Sequence, residues 1–168
     1  HQSLRKKVAQ LEVNPKEFLQ ITLPNGLSLE ASMIKPPNFD PSKKYPVLFY
    51  VYGEPWGQTV VDKWGGSRYL WHQMLAQQGY IVMSIDNRGT PSPKGREWRK
   101  CVYGQIGVLS SEDQAAGLTA LKERFSFIDG DRIGIWGWSG GGSMTLNMMF
   151  RYPKLYHTGM SIAPVPDQ

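Results

Sequence analysis

Long apolar runs are missing from this chain of 168 residues. None approaches the roughly 20 residues that a membrane-crossing helix needs, so no membrane segment is expected. The opening stretch, His1-Gln2-Ser3-Leu4-Arg5-Lys6-Lys7, has no apolar core of the kind a secretory leader carries. The chain opens with His and is expected to be a piece of a longer protein. Cysteine is nearly absent. The single Cys101 excludes an internal disulfide and has no Cys or His at metal-ligand spacing. It reads as a buried or bland thiol. Histidine is scarce, with only His1, His72 and His157. Repeats and low-complexity tracts are also lacking.

A modest excess of basic charge is present. Nineteen Lys and Arg against 14 Asp and Glu give a formal net charge of +5. Nucleic-acid binding needs such charge gathered on one face. The densest stretch, Lys94-Gly95-Arg96-Glu97-Trp98-Arg99-Lys100, is short and is expected to be a solvated surface loop. No nucleic-acid partner is expected.

Residues 1–15 are polar and read as a linker or short helix leading into a domain over 16–168. Phe18 to Leu23 and Leu27 to Ile34 alternate as strands around Asn25-Gly26, a strong hairpin-turn signal. Pro46 to Tyr52 is then almost continuously apolar, as strands buried on both faces are. Helical spacing runs from Ser67 to Gln78 and stops at Gly79. Tyr80 to Ile85 reads as another buried strand. Ser110 to Arg124 reads as a helix with Ser110 as N-cap and Asp113 three residues on. Leu118, Leu121 and Phe125 mark its buried face. Arg132 to Trp136 is a strand, Gly140 to Tyr152 a helix, and His157 to Ala163 a strand. The Met stripe Met144, Met148 and Met149 reads as core filling. Strands alternating with helices predict a mostly parallel sheet with right-handed crossovers, preceded by an antiparallel hairpin.

Gly137-Trp138-Ser139-Gly140-Gly141 matches G-x-S-x-G between a predicted strand and a predicted helix. That context is what a nucleophile elbow requires. The tight turn strains the Ser backbone, and the flanking glycines remove side chains that would clash with strand and helix. The hydroxyl then projects near the positive end of the helix dipole. Two blander readings exist: an inert Gly-rich turn, and a phosphate cradle at Gly140-Gly141-Gly142. The cradle lacks the Lys-Ser/Thr and the G-x-G-x-x-G spacing that such sites use. An acylating Ser139 needs oxyanion donors. One is the Gly140 backbone N–H. The other is expected from Tyr52-Gly53-Glu54-Pro55-Trp56-Gly57, as a backbone N–H or the Tyr52 hydroxyl.

Further motifs stand in a consistent order: Val51-Tyr52-Gly53-Glu54-Pro55, Asp86-Asn87-Arg88-Gly89-Thr90, Glu112-Asp113-Gln114, Asp131 through Gly141, and Ile162-Ala163-Pro164-Val165. From about Phe18 to its last residue the chain resembles the catalytic domain of the prolyl oligopeptidase family of serine peptidases, dipeptidyl peptidase IV branch. The resemblance implies a three-layer α/β-hydrolase fold, cut after the strand that follows the nucleophile helix. It implies Ser139 as nucleophile, with the Tyr52 hydroxyl and the Gly140 N–H as the oxyanion hole. It implies Asp86, Arg88 and Trp136 as scaffold. The activity implied is release of short peptides near a free N-terminus, after proline or sometimes alanine, without cofactor or metal. A peptide substrate, a possible homodimer, and a periplasmic, secreted or membrane-anchored parent follow from the resemblance alone.

Two positions depart from the family pattern. Gly140 stands where many members have an aromatic, which removes one wall of the implied proline pocket. Glu54 stands in a turn that usually reads Gly-Gly-Pro or Ala-Gly-Pro, and it either faces the substrate channel or is a surface carboxylate. The triad in this fold runs Ser, acid, His along the chain. After Ser139 only Asp167 and His157 are available, in the wrong order. The fragment alone is therefore expected to be inactive. Another α/β-hydrolase activity, such as an esterase or acylaminoacyl-peptidase, and a non-catalytic hydrolase-like scaffold are the competing readings.

Overall fold

The computed structural model describes residues 1–166. Helix α1 (Gln2–Ala9) buries none of its residues. The segment after it is pinned to the domain. The Asn14 N–H donates to Gln73 Oε1, and Gln77 Nε2 donates to the Glu12 carbonyl.

Strands β1 (Lys16–Thr22) and β2 (Ser28–Ile34) form the expected hairpin, with Gly26 at φ 81° in its turn. Strands β3 (Tyr45–Tyr50), β4 (Ile81–Asp86), β5 (Ile128–Trp138) and β6 (Thr158–Ile162) complete a six-stranded sheet in the order β1-β2-β4-β3-β5-β6. The pairs β1–β2 and β2–β4 are antiparallel, and β4–β3, β3–β5 and β5–β6 are parallel. A parallel sheet with a leading antiparallel hairpin is thus the observed architecture.

Alternation along the strands sorts side chains onto two faces. Leu29, Ala31 and Met33 of β2 and Ile81, Met83 and Ile85 of β4 enter the main core with Leu118, Leu121, Met144 and Met148. These last four come from α4 (Leu109–Arg124) and α5 (Gly140–Arg151). Ile34 and Val82 point the other way and meet Ala76 of α2 (Gly66–Gln77). Every residue of β4 is buried, the polar Ser84 and Asp86 included, as in a strand covered on both faces.

Two local expectations are corrected. Residues 94–100 are not a loop: Gly95–Lys100 form helix α3 around a buried Trp98, whose Nε1 donates to the Thr90 carbonyl. The basic side chains there splay apart. Lys94 reaches the Ser28 carbonyl and Glu30, while Arg99 reaches the Pro55 carbonyl. Ser110 is not the N-cap of α4, which Val108 occupies without a side-chain bond. The Asp113 carboxylate is drawn instead to Arg88, and a two-point ion pair outweighs a capping contact.

Candidate active site

Ser139 lies at the junction of β5 and α5 with φ 55° and ψ −118°. A positive φ is costly for a residue with a Cβ, and such strain persists only where the surroundings fix it. They do so here. The Ser139 N–H donates to the Ile162 carbonyl of β6 at 2.9 Å, and its own carbonyl accepts from the Ser143 N–H at 3.0 Å. The turn closes so tightly that a Cβ on Gly137 would overlap the Gly141 backbone. A Cβ on Gly141 would in turn strike the Val51 carbonyl and approach Tyr52 Cα to 3.3 Å. The glycines therefore let β5, α5 and the start of the Tyr52 loop meet backbone to backbone.

That contact brings the loop after β3 to the first turn of α5. Gly53 (φ 78°) rests on the Met144 side chain, so the Met stripe also supports the loop. Burial first, then the nearby Glu54 carboxylate, pushes the Tyr52 hydroxyl above its ordinary pKa. Tyr52 carries its proton at neutral pH, as any phenol does, and the shift reinforces its role as a hydrogen-bond donor. Glu54 is buried at 5% exposure, which excludes the surface-carboxylate reading.

The loop after β4 clamps this assembly from beneath. Asn87, fully buried, donates from Nδ2 to the Gly53 carbonyl at 2.9 Å, and its Oδ1 accepts from Gln114 Nε2 at 3.0 Å. Gln114 also donates to the Ile85 carbonyl at 2.7 Å. Asp86 accepts from the Thr59 N–H and hydroxyl at 2.9 and 3.0 Å and from the Val60 N–H at 3.3 Å. Burial raises the Asp86 pKa, and these donors oppose the rise. Arg88 pairs with Asp113 at 2.7 Å. Trp136 packs with Tyr50, Trp71 and His72 at centroid separations of 4.7, 4.8 and 5.6 Å.

Asn87 and Gln114 stood in the sequence only as motif letters, without a role. The signal was available: Gln114, Leu118 and Leu121 share the i, i+4, i+7 face of α4, so a polar residue faces the core. A buried amide needs partners, and a loop carbonyl is one.

The histidines lie elsewhere. His72 is buried in the aromatic cluster, and His1 is exposed ahead of α1. His157 is exposed and donates its N–H to the Ile133 carbonyl, at the opposite end of β6 from Ile162. Five residues of strand put about 16 Å between those ends. Asp167 lies outside the described residues. Among the described residues, no group of three or more His, Cys, Asp or Glu could hold a metal ion, and no helix is long and apolar enough to cross a membrane.

Comparison with known proteins matches residues 66–168 to the model of the prolyl oligopeptidase family. This chain belongs to the prolyl oligopeptidase family. Dipeptidyl peptidase 4 of Trichophyton equinum is 38% identical over 167 residues, covering 98% of this chain and 21% of that protein. Dipeptidyl peptidase 4 of Arthroderma otae matches at the same identity and coverage. The crystal structure of Porphyromonas gingivalis dipeptidyl peptidase 4 superposes with a TM-score of 0.90 at 43% identity, over 98% of this chain and 23% of that one. The chain therefore spans about a fifth of the length of these relatives. The relatives named lie on the dipeptidyl peptidase branch of that family.

Proposed function

We propose that this chain carries the nucleophile and oxyanion half of a serine-peptidase active site. The observation that carries the reading is Ser139 held at φ 55° in a strand-to-helix elbow tied to β6. Ser139 Oγ attacks a peptide carbonyl carbon while its proton passes to a general base. The forming oxyanion accepts hydrogen bonds from the Gly140 N–H and the Tyr52 hydroxyl. Collapse expels the amine and leaves an acyl group on Ser139, which water then removes. Asp86, Arg88, Asn87 and Gln114 hold the two loops that present these donors.

The parent protein acts on peptides near a free N-terminus, as the names of its dipeptidyl peptidase relatives suggest. The proton acceptor comes from outside these residues, because His72 is walled in by aromatics and His157 is at the far end of β6. The 168-residue chain alone is accordingly inactive.

A fluorophosphonate probe with mass-spectrometric mapping tests this. In the full-length protein Ser139 is expected to carry the adduct, and Ser139→Ala to abolish it. The isolated chain is expected to stay unlabelled, since losing a triad member removes several powers of ten in rate. A folded full-length protein without the adduct would sink the peptidase reading in favour of a non-catalytic scaffold.

A further inference from the structure

Three basic side chains that are far apart in the sequence line one cleft beside α2. Lys16 comes from β1, Lys63 from the loop after β3, and Arg68 from the first turn of α2. The cleft has a volume of about 90 Å³, several times the roughly 10–15 Å³ that one water needs. Ser32 and Ser84 line it from the sheet, where they are buried and directly paired across β2 and β4. His72, one turn beyond Arg68 on α2, also lines it. The His72 Nε2 is buried with no hydrogen-bond partner among the described residues.

The three cations have no counter-ion in the cleft. No carboxylate lines it, and none of the ion pairs among the described residues uses Lys16, Lys63 or Arg68. Asp62, beside Lys63, attracts Lys16 through space without pairing with it. Asp86 acts in the same way on Tyr50, but its carboxylate is already bonded by Thr59, Val60 and Gln58. Donors are left over. Lys16 uses one of its three N–H bonds on the Val61 carbonyl, and Arg68 uses one of its five on the Tyr50 hydroxyl. Arg68 and Lys16 both repel a proton on His72, so their fields converge on the cleft. The N-cap of α2, Gly65, lines the cleft too and offers no side-chain cap, which leaves the positive end of the helix dipole unanswered. Like charges gathered in this way repel one another, and an anion between them turns that repulsion into attraction.

We propose that this cleft binds a tetrahedral dianion, phosphate or sulfate, between Lys16, Lys63 and Arg68 and against the Ser32–Ser84 pair. Ser139, Tyr52 and Gly140 do not line the cleft, so the binding is independent of the peptidase reading.

The test titrates the full-length protein with sodium phosphate and with sodium sulfate by calorimetry, at an ionic strength held constant with sodium chloride. Both salts are expected to bind saturably and to raise Tm by mass action. Lys63→Met and Arg68→Gln change exposed residues, and each is expected to weaken binding about three- to tenfold. Their Tm without added anion checks that they fold. Lys154→Ala, an exposed lysine after α5, is expected to leave binding unchanged. Phosphoserine that binds as tightly as inorganic phosphate would identify the ligand group as a phosphate ester on a larger molecule, and inorganic phosphate binding alone would identify the free ion. Both results keep the site. The inference is overturned by the absence of saturable binding, by binding that neither cleft variant weakens, or by acetate binding as tightly as phosphate, which would make the ligand group a carboxylate. Fluorophosphonate labelling of Ser139 in the same samples reports the peptidase reading separately.

Discussion

Ser139 and Tyr52 show how much a single backbone or side-chain feature can decide. The serine accepts a left-handed φ because its N–H and carbonyl are both held, by Ile162 and by Ser143. Burial and then Glu54 disfavour the Tyr52 phenolate further, so the phenol stays a donor well above neutral pH. If that hydroxyl is the second oxyanion donor, Tyr52→Phe in the full-length enzyme lowers kcat by about 100- to 1000-fold with little change in KM. Steady-state kinetics on a dipeptidyl arylamide reads this directly. A fall in KM-dependent binding alone would place Tyr52 in ground-state recognition. The elbow was legible in the sequence because glycine is the residue that a backbone-to-backbone contact demands. The Glu54–Gly140 contact was not legible, since Glu54 lies on the loop after β3 and Gly140 at the start of α5, far apart along the chain.

Buried polar clamps join the elements nearest the site, beside the apolar core that they share. Asn87, on the loop after β4, links the Gly53 carbonyl to Gln114 on α4. Removing the amide leaves a buried carbonyl and a buried amide N–H without a partner. Asn87→Ala is expected to cost roughly 1–3 kcal/mol, seen as a lower urea midpoint. Gln114→Ala should cost a similar amount, and the double variant less than the sum, because both break one network. Additive losses in chemical denaturation would mean that the two amides act separately. The element boundaries themselves were largely readable from periodicity. The exceptions were α3, whose six residues are too few to show a period, β5, which begins at Ile128 rather than Arg132 because its first residues are polar and lack alternation, and the cap of α4, where a tertiary ion pair claimed Asp113.

Across the whole molecule, the face of the sheet covered by α2 holds a titrating group in an aromatic setting. His72, at 7% exposure, packs against Tyr50, Trp71 and Trp136. Burial first, then repulsion from Arg68 and Lys16, lowers its pKa to about 4. The unfolded chain takes up this proton near pH 6.5. Between those values the unfolded state binds more protons than the native one, so stability falls as pH drops from about 6.5 towards 4. The contribution is complete above the unfolded value and amounts to no more than about 3 kcal/mol. His72→Phe is expected to flatten the dependence of the urea midpoint on pH across this window. A variant with the native slope would show that other groups carry it.

Sequence by itself determined the alternation of strands and helices, the antiparallel hairpin, the placing of Ser139 in an elbow and the family. Each of these is written in local spacing: a period of two or 3.6, an Asn-Gly turn, glycines around a serine. Tertiary structure alone decided that Glu54 is buried against Gly140, that Asn87 and Gln114 brace the Tyr52 loop, and that His157 lies at the wrong end of β6 to serve Ser139. Those facts depend on which strands become neighbours and in what register. Pairing between distant segments carries no periodic mark in the chain, because it is fixed by the packing of the completed sheet.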